Sequence, residues 1–311
     1  MKEPEFKVSV IVPVYNAAAF VRQAVASAVN MDEVGEIILI EDGSPDNALE
    51  ICRQLENEYQ KVRLIQHPNA GNRGPGESRN LGIRNANFDF ISFLDADDYY
   101  LPNRFITDKK MFSDLRIDGT YNAAAYLIDS DYAFTFVSNR FKTPSPEKYV
   151  YTVREEIPPE DLFYHLLNGG KGHFHTNTVT LKKELFKKTG LFSNLKLHQD
   201  NHMWLRAALM GKLVRSEPQN PTAMIRVHEN NRIKAVSRES VTTYYLTLYN
   251  DLSKTITSKK EYSLLIKKLI ASKSRIFKDR LFNSPIIVFN MVMHFISHPK
   301  DLCKVNLYIV R

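Results

Sequence analysis

Short apolar runs alternate with helical patterns over the first hundred residues of the chain. The apolar runs fall at residues 7–16, 36–40, 62–65 and 88–94 and are rich in Val, Ile, Leu and Phe, which is typical of buried β-strands. The segments between them, at residues 17–29, 48–59 and 77–85, show helical spacing. This alternation predicts an α/β fold, built from βαβ units, whose mostly parallel sheet is covered by helices on both faces.

Three carboxylates follow the fourth predicted strand, in the sequence Phe-Leu-Asp-Ala-Asp-Asp at residues 93–98. Open α/β sheets bind ligands at the carboxyl ends of their strands. Neighbouring carboxylates repel one another unless a cation lies between them, and oxygen ligands suit Mg²⁺ or Mn²⁺. The segment is therefore a candidate metal site, with a solvated acidic turn as the ordinary alternative.

Other polar residues follow the first, second and third predicted strands. Tyr15 offers an aromatic face to a base, and the Asp42 carboxylate can accept the imide N–H of uracil. Arg79 stands after a Gly-rich loop at the start of a helix, where a guanidinium and backbone N–H groups can face a diphosphate. The simpler interpretations are a rim aromatic, a turn aspartate and a surface cation. Neither a Walker loop nor a dinucleotide-binding glycine fingerprint is present in the sequence.

Four motifs in order carry a resemblance to a known family. They read Val-Ile-Val-Pro-Val-Tyr-Asn at residues 10–16, Glu-Asp-Gly-Ser-Pro-Asp at 41–46, Ser-Arg-Asn-Leu-Gly at 78–82 and Leu-Asp-Ala-Asp-Asp at 94–98. Together they resemble the family 2 inverting glycosyltransferases. The resemblance is close over residues 6–110 and looser to about residue 232, and it implies the GT-A fold: a Rossmann-like, mostly parallel sheet flanked by helices, here with a C-terminal helical extension.

The resemblance implies a role for particular residues of this chain. Nucleotide-sugar binding is expected at Pro13, Tyr15, Asn16, Asp42, Arg79, Asp95 and Ala96. Metal binding is expected at Asp97 and His228, with Mn²⁺ or Mg²⁺ as the cofactor, and Asp200 is the expected catalytic base. Two departures from the family pattern, Glu41 before Asp42 and Gln199 before Asp200, predict a tuned site that keeps its activity.

Several of these residues have structural alternatives. Asp200 opens an amphipathic segment that ends before Gly211, so it is also a candidate helix N-cap. His228 can contact a metal or a diphosphate, or can be a structural histidine. His173 and His175 alternate around Phe174, which would place both on one face of a strand. We expect a packed strand with two satisfied imidazoles there, with an acceptor-side role as the alternative.

The expected function is metal-dependent, inverting transfer of a sugar from a nucleoside-diphosphate sugar, with UDP favoured, to a saccharide acceptor. A lipid-linked acceptor in surface-polysaccharide synthesis is the setting that the resemblance implies. Two other classes remain: a non-catalytic nucleotide-sugar-binding partner subunit and a sugar nucleotidyltransferase. Retention of Asp97 and Asp200 disfavours the first, and the absence of basic residues in Asn16-Ala17-Ala18-Ala19 disfavours the second.

The net charge of +7 is concentrated in the last part of the chain. Residues 232–311 hold 15 Lys and Arg against 5 Asp and Glu, interleaved with apolar residues such as Leu264, Leu265, Leu269 and Ile270. The pattern fits either a surface for anionic membranes or a helical bundle packed on the catalytic domain or on a second copy in a homo-oligomer. The segment has no recognised nucleic-acid-binding motif.

The expected organisation is a GT-A domain over residues 1–231, with a nucleotide-sugar half at 1–110 and an acceptor half at 111–231, followed by a basic helical segment at 232–311. The two cysteines, Cys52 and Cys303, show no pairing pattern, which suits a reducing compartment. Neither a signal peptide nor an apolar stretch of spanning length is evident in the sequence. We therefore expect a cytoplasmic protein, peripheral at the inner face of the plasma membrane if the C-terminal segment binds lipid.

Overall fold

The computed structural model describes residues 5–229, 237–274 and 293–302. Its strands are β1 (Val8–Val14), β2 (Val34–Glu41), β3 (Val62–Gln66), β4 (Phe90–Phe93), β5 (Tyr99–Tyr100), β6 (Gly119–Tyr121), β7 (Ala124–Leu127), β8 (Val150–Tyr151), β9 (Val179–Lys182), β10 (Leu213–Arg215) and β11 (Ala223–Arg226). Its helices are α1 (Val21–Val29), α2 (Ala48–Glu58), α3 (Pro75–Asn85), α4 (Ile106–Met111), α5 (Asp131–Phe141), α6 (Pro159–Asn168), α7 (Leu185–Thr189), α8 (Gln199–Met210), α9 (Arg238–Leu252), α10 (Lys259–Ser274) and α11 (Pro299–Leu302).

The main sheet has the strand order β10-β6-β9-β4-β1-β2-β3. β1 pairs in parallel with both β2 and β4, and β2 pairs in parallel with β3. β9 runs antiparallel between β4 and β6, so it joins the four strands of the first hundred residues to the later part of the chain. The predicted α/β fold with a mostly parallel sheet is confirmed, and the carboxyl ends of β1, β2 and β4 meet at one edge.

The alternation of side chains along the strands divides the interior into two cores. Val8, Val10, Val12 and Val14 pack with α1 and α2 on one face of the sheet. Ile11 of the same strand belongs to the core on the other face, which contains residues of α3, α6 and α8. Because successive side chains of a strand point to opposite faces, a continuous apolar run is what a sheet covered on both sides requires.

A second, smaller sheet has the order β5-β11-β7-β8. Tyr126 of β7 and Ile225 of β11 form an apolar cluster with Ala133 and Val137 of α5. This arrangement holds α5 and β8 beside the carboxyl ends of the main strands. Their residues therefore reach the same region as the turn after β4.

Helices α9 and α10 pack against α8 and α6, respectively. Leu248 of α9 and Leu265 and Ile266 of α10 are fully buried and belong to the same core as Ile11. The apolar residues Leu264, Leu265, Leu269 and Ile270 are thus covered by protein, which is the arrangement that the helical-bundle alternative predicts. The domain boundary at 231/232 lies outside the described residues. The C-terminal segment also contains an apolar run at residues 286–296 of the sequence, of which residues 286–292 lie outside the described part. Among the described helices, none has the length and apolar character needed to cross a bilayer.

Two local predictions differ from the structure. Helix α1 begins at Val21 and not at residue 17, because Asn16 adopts a left-handed backbone (φ 52°) and the Ala18 N–H donates to Asp46 Oδ2 at 2.8 Å, which fixes a turn before the helix. The residues 173–175 are not a strand. They lead into a 3₁₀ turn at Thr176–Thr178, in which the Asn177 N–H points to His175 Nδ1 at 3.4 Å.

Candidate functional site

A cavity of about 540 Å³ opens at the carboxyl ends of β1, β2 and β4. Every residue that the sequence analysis proposed for the site lines it: Pro13, Tyr15, Asn16, Asp42, Arg79, Asp95, Ala96, Asp97, Asp200 and His228. We call the part formed by the strand tips and α3 the strand-end side. Its residues are Pro13, Tyr15, Asn16, Asp42, Arg79, Asp95, Ala96, Asp97, Arg226 and His228. A second part, the α5 side, consists of Phe136, Arg140, Tyr151, Lys196 and His198. Asp200 lines the same cavity.

The tip of β1 places an accessible aromatic ring in the cavity wall. Tyr15 is 43% exposed, whereas the preceding residues of the strand are mostly buried. The Asn16 N–H donates to Ser44 Oγ at 3.2 Å, which ties the tip of β1 to the turn after β2. Tyr15 is therefore held in place through its backbone while its ring stays free to stack on a planar ligand.

Asp42 is buried and already engaged by the backbone. Its two oxygens accept from the N–H groups of Arg73 at 2.6 Å and Gly74 at 2.8 Å. Gly74 has φ 84°, a conformation that favours glycine, so the Gly-rich loop and Asp42 form one unit. Glu41 accepts from the Ser44 N–H at 2.5 Å and from Gln66 Nε2 at 2.9 Å, so the unusual glutamate stabilises the turn.

Arg79 lies in α3 and is almost completely buried. Its Nη2 donates to Asp95 Oδ1 at 2.5 Å. Nε and Nη1 are also buried, and neither has a hydrogen-bond partner among the described residues. Because a buried donor without a partner is costly, these two atoms indicate a place for an anionic ligand.

The turn after β4 carries an acidic group whose members have different partners. Asp97 Oδ2 lies 3.0 Å from His228 Nε2. Asp98 is buried and accepts from the Arg226 N–H at 2.7 Å and from Asn177 Nδ2 at 2.6 Å. Burial and the negative charges of Asp97 and Asp95 raise the pKa of Asp98 well above its ordinary value.

The residues of this turn fit a divalent cation. Ligand atoms of Asp95, Asp98 and His175 lie within 4.8 Å of one another, and the expected pair Asp97 and His228 lines the same cavity in mutual contact. Carboxylate oxygen and imidazole nitrogen are ligands that Mn²⁺ accepts, and a cation there would relieve the repulsion that Asp98 experiences. Asp97 and His228 are the ligands expected from the sequence, where His175 was expected to be a packing residue, so the structure enlarges the set of candidate ligands.

Asp200 is the second residue of α8 and not its N-cap, which is His198. The Asn201 N–H donates to Asp200 Oδ1 at 2.8 Å. Burial raises the pKa of Tyr151 to about 12, and the negative charge of Asp200 contributes to that rise. Asp200 lies two residues after His198 of the α5 side, at the N-terminal end of a helix that favours its charged form.

His198 and the C-terminal helices hold the beginning of α8. His198 adopts a left-handed backbone (φ 64°), and its ring packs against Tyr244 of α9 with a centroid distance of 5.3 Å. Asp251 of α9 lies 3.1 Å from His202 Nε2. The direction of this contact is not that of a hydrogen bond, and both ring nitrogens of His202 lack a hydrogen-bond partner among the described residues.

A polar network that was not expected from the sequence lies below the acidic turn. Arg104 is fully buried and donates to Asp108 Oδ2 at 2.8 Å, the Asn177 carbonyl at 2.9 Å and Ser92 Oγ at 2.8 Å. Asn177 in turn accepts from the Asp95 N–H at 2.9 Å. The spacing of four residues between Arg104 and Asp108 was the available signal, but it is also typical of an exposed helical pair.

Solved structures with the same fold include complexes with nucleotide sugars. Residues 1–349 of TarS from S. aureus, crystallised with UDP-GlcNAc, superpose with a TM-score of 0.62 and 18% identity, over 91% of this chain and 79% of that one. The mannosyltransferase PcManGT from Pyrobaculum calidifontis, solved with GDP-Man and Mn²⁺, gives a TM-score of 0.55 and 14% identity, over 94% and 75%. These similarities establish the GT-A fold.

Sequence comparison gives the family. A chondroitin synthase of Pasteurella multocida is 27% identical over 218 residues, which is 63% of this chain and 22% of that protein. Across the chondroitin synthase and three other curated relatives, the region aligned with this chain covers between 14% and 36% of the relative's length. The model of Glycosyl transferase family 2 matches residues 9–190, more than half of the chain. This protein therefore belongs to glycosyl transferase family 2.

Proposed function

We propose that this chain transfers a sugar from a nucleoside-diphosphate sugar, with UDP as the favoured carrier, to a saccharide acceptor, with inversion at the anomeric carbon. The observation that carries the proposal is the shared cavity. The strand-end side contains the buried Arg79, whose Nε and Nη1 have no hydrogen-bond partner among the described residues, beside a carboxylate cluster. Asp200 lines the same cavity and forms no ion pair with a cationic side chain within the described residues. This supplies a place for a diphosphate and a base for a hydroxyl.

The residues have separate tasks in this reaction. Tyr15 stacks on the base, and Asp42 accepts its imide N–H with lone pairs that the Gly-rich loop leaves unused. The free Nε and Nη1 donors of Arg79 bind the diphosphate. Asp200 removes the proton of the acceptor hydroxyl as that oxygen attacks the anomeric carbon, through an oxocarbenium-like transition state.

The acidic turn has a role in departure of the leaving group. A divalent cation held by Asp97 and His228 would offset the charge that develops on the departing nucleoside diphosphate. The support is the contact between Asp97 and His228, the neighbouring ligand cluster of Asp95, Asp98 and His175, and the Mn²⁺ in the solved complex of PcManGT.

Polysaccharide synthesis is the proposed setting. It is supported by the similarity to a chondroitin synthase and by the UDP-GlcNAc bound to TarS. We further propose a lipid-linked acceptor and a peripheral position at an anionic membrane, because residues 232–311 carry a surplus of positive charge. Co-sedimentation of the full chain with anionic and neutral vesicles tests this last part, and equal binding to both kinds, or binding to neither, would contradict it.

A donor screen with an Asp200 variant tests the reaction. UDP-sugars and GDP-sugars are incubated with Mn²⁺ or Mg²⁺, and slow release of the nucleoside diphosphate is measured with and without saccharide acceptors. Asp200→Asn keeps the shape but cannot accept the proton, so we expect transfer to fall by about 10²-fold or more while UDP affinity stays near that of the unmodified protein.

Asp89→Asn is the matched control, since Asp89 is exposed and does not line the cavity. If Asp200→Asn keeps most of the transfer rate, the base is a different residue. If no donor is hydrolysed or bound, the chain is not a transferase of this class, and the non-catalytic alternative gains support.

A further inference from the structure

The α5 side of the cavity contains two cations that the proposed reaction does not use. Arg140 is on the last turn of α5, and Lys196 is in the segment that leads into α8. These segments are remote in sequence, yet both residues line the cavity that contains Asp200. The fold therefore brings two positive charges to the part of the cavity that the nucleotide does not need.

The cations of the strand-end side differ because they have carboxylate partners. Arg79 is 2.5 Å from Asp95, and Arg226 is 3.3 Å from Asp129. Arg140 and Lys196 are exposed, and within the described part of the chain neither has a carboxylate within 4 Å. Their charge is thus available to a ligand, whereas that of Arg79 and Arg226 is partly neutralised.

Aromatic rings accompany the two cations. Phe136 lies one turn before Arg140 on α5 and is half-buried in the cavity wall. Tyr151 is packed edge-on to His175, with a centroid distance of 6.3 Å and an interplanar angle of 81°. Aromatic faces give a sugar ring an apolar surface to pack on, so the α5 side combines such surfaces with positive charge.

The position of Tyr151 places this combination close to the proposed base. Asp200 raises the pKa of the Tyr151 hydroxyl and Arg140 opposes that rise, so both charges lie within electrostatic reach of one phenol. Arg140, Tyr151 and Asp200 also line one cavity, so a single bound molecule can contact both Arg140 and Asp200.

We propose that the acceptor is an anionic saccharide, and that Arg140 and Lys196 bind a carboxylate or phosphodiester next to the unit that receives the sugar. This inference rests on the proposed function and names its acceptor class. A neutral acceptor would gain nothing from either charge. An anionic acceptor gains attraction from both, and the charges also select against neutral saccharides of similar shape.

The test measures binding of defined saccharides to the full chain by calorimetry, in the presence and absence of UDP with Mn²⁺. The probes are a hyaluronan hexasaccharide, which carries carboxylates, a glycerol phosphate hexamer, which carries phosphodiesters, and neutral chitohexaose. We expect one charged probe to bind at least about 10-fold more tightly than chitohexaose at low salt, with the preference reduced at 0.5 M salt. The better charged probe identifies which anionic group the site accepts.

The variants Arg140→Ala and Lys196→Ala, combined, should remove the preference while leaving the affinity for UDP unchanged. The matched control combines Arg154→Ala and Lys188→Ala, which removes the same charge at exposed positions outside the cavity. That control should retain the preference. Circular dichroism of each variant verifies that the fold is intact.

Each contrary result has a distinct meaning. The inference is overturned if chitohexaose binds as tightly as the charged probes, if no charged probe binds, or if the control variant loses the preference equally. It is also overturned if the Arg140/Lys196 variant loses UDP affinity to the same extent, because the cations would then serve the donor. If UDP does not bind at all while the charged saccharide preference persists, the proposed reaction fails and the anionic saccharide site stands.

Discussion

The two parts of the cavity differ in how their polar groups are paired. On the strand-end side, Asp42 accepts from the Gly-rich loop, Arg79 contacts Asp95, and Asp97 contacts His228. On the α5 side, neither Arg140 nor Lys196 has a carboxylate of the described residues within 4 Å. The polar groups of the strand-end side are thus largely fixed by one another before a ligand binds, whereas the cations of the α5 side are exposed to solvent in the cavity.

The difference corresponds to two kinds of recognition. Groups that are fixed by one another can contact a constant part of a substrate with little loss of entropy, as the nucleoside diphosphate requires. Solvated cations beside aromatic rings suit a more variable ligand, since they attract charge without demanding one geometry. If the proposed function holds, the donor is selected by shape and hydrogen bonding, and the acceptor mainly by charge and apolar contact.

The largest expected effect is on the buried polar network below the acidic turn of the strand-end side. Arg104→Met leaves the carboxylate of Asp108 buried without its cation, so we expect the free energy of unfolding to fall by about 3–5 kcal/mol. Urea denaturation measures this change. The double variant with Asp108→Leu should regain part of the stability, because it removes the stranded charge.

Arg116→Met is the control for this prediction, since the Arg116–Asp114 pair is exposed and should contribute little. A small loss for Arg104→Met, comparable with that of the control, would show that the acidic turn of the strand-end side does not depend on this network.

The next effect concerns the strand-end side alone. Asp97→Ala removes a proposed metal ligand and leaves His228 without its carboxylate partner, so Mn²⁺-dependent UDP affinity should fall at least about 100-fold, or about 2.7 kcal/mol. Saccharide binding on the α5 side should persist. Calorimetry with UDP, with and without Mn²⁺, separates the two, and Asp89→Ala is the exposed acidic control. Equal UDP affinity in the variant and the parent would remove Asp97 from the metal site.

The smallest effect is a pH dependence on the α8 helix that carries Asp200. Burial, together with the charge of Arg206, lowers the pKa of His202 to about 3, whereas an unfolded histidine has a pKa of about 6.5. As the pH falls below about 6.5, His202 is therefore protonated in the unfolded chain but stays neutral in the folded one. The contribution of His202 to the free energy of unfolding is complete above this pH and is lost as the pH falls. Between pH 7.5 and pH 5.5 this one group should cost about 1.4 kcal/mol.

His173, His175 and His198 have lowered pKa values as well and add to the same decline. His202→Met should therefore make the pH profile of the free energy of unfolding shallower without flattening it. A profile as steep as that of the parent would mean that Asp251 stabilises a charged imidazole, in spite of its burial.

The sequence by itself determined the strand-end side to a large extent. The apolar runs at residues 7–16 and 88–94 gave the sheet, and parallel pairing necessarily brings the carboxyl ends of its strands to one edge. Tyr15, Asp42, Arg79 and the acidic turn could be assigned to a common site because each stands next to a strand or helix end in a short motif. The eight proposed site residues from Pro13 to Asp97 line the cavity for this reason, whereas Asp200 and His228, which also line it, were assigned from the resemblance.

The tertiary structure alone decided the α5 side and the supports of the site. Arg140, His175 and Lys196 stand in segments with no recognisable motif, and their proximity to Asp200 follows from the pairing of β9 between β4 and β6 and from the second sheet. The four-residue spacing of Arg104 and Asp108 is typical of an exposed helical pair, but tertiary packing buries both side chains completely. Local sequence encodes strands, turns and caps, whereas the partners of a charged side chain depend on which distant segments the fold places beside it.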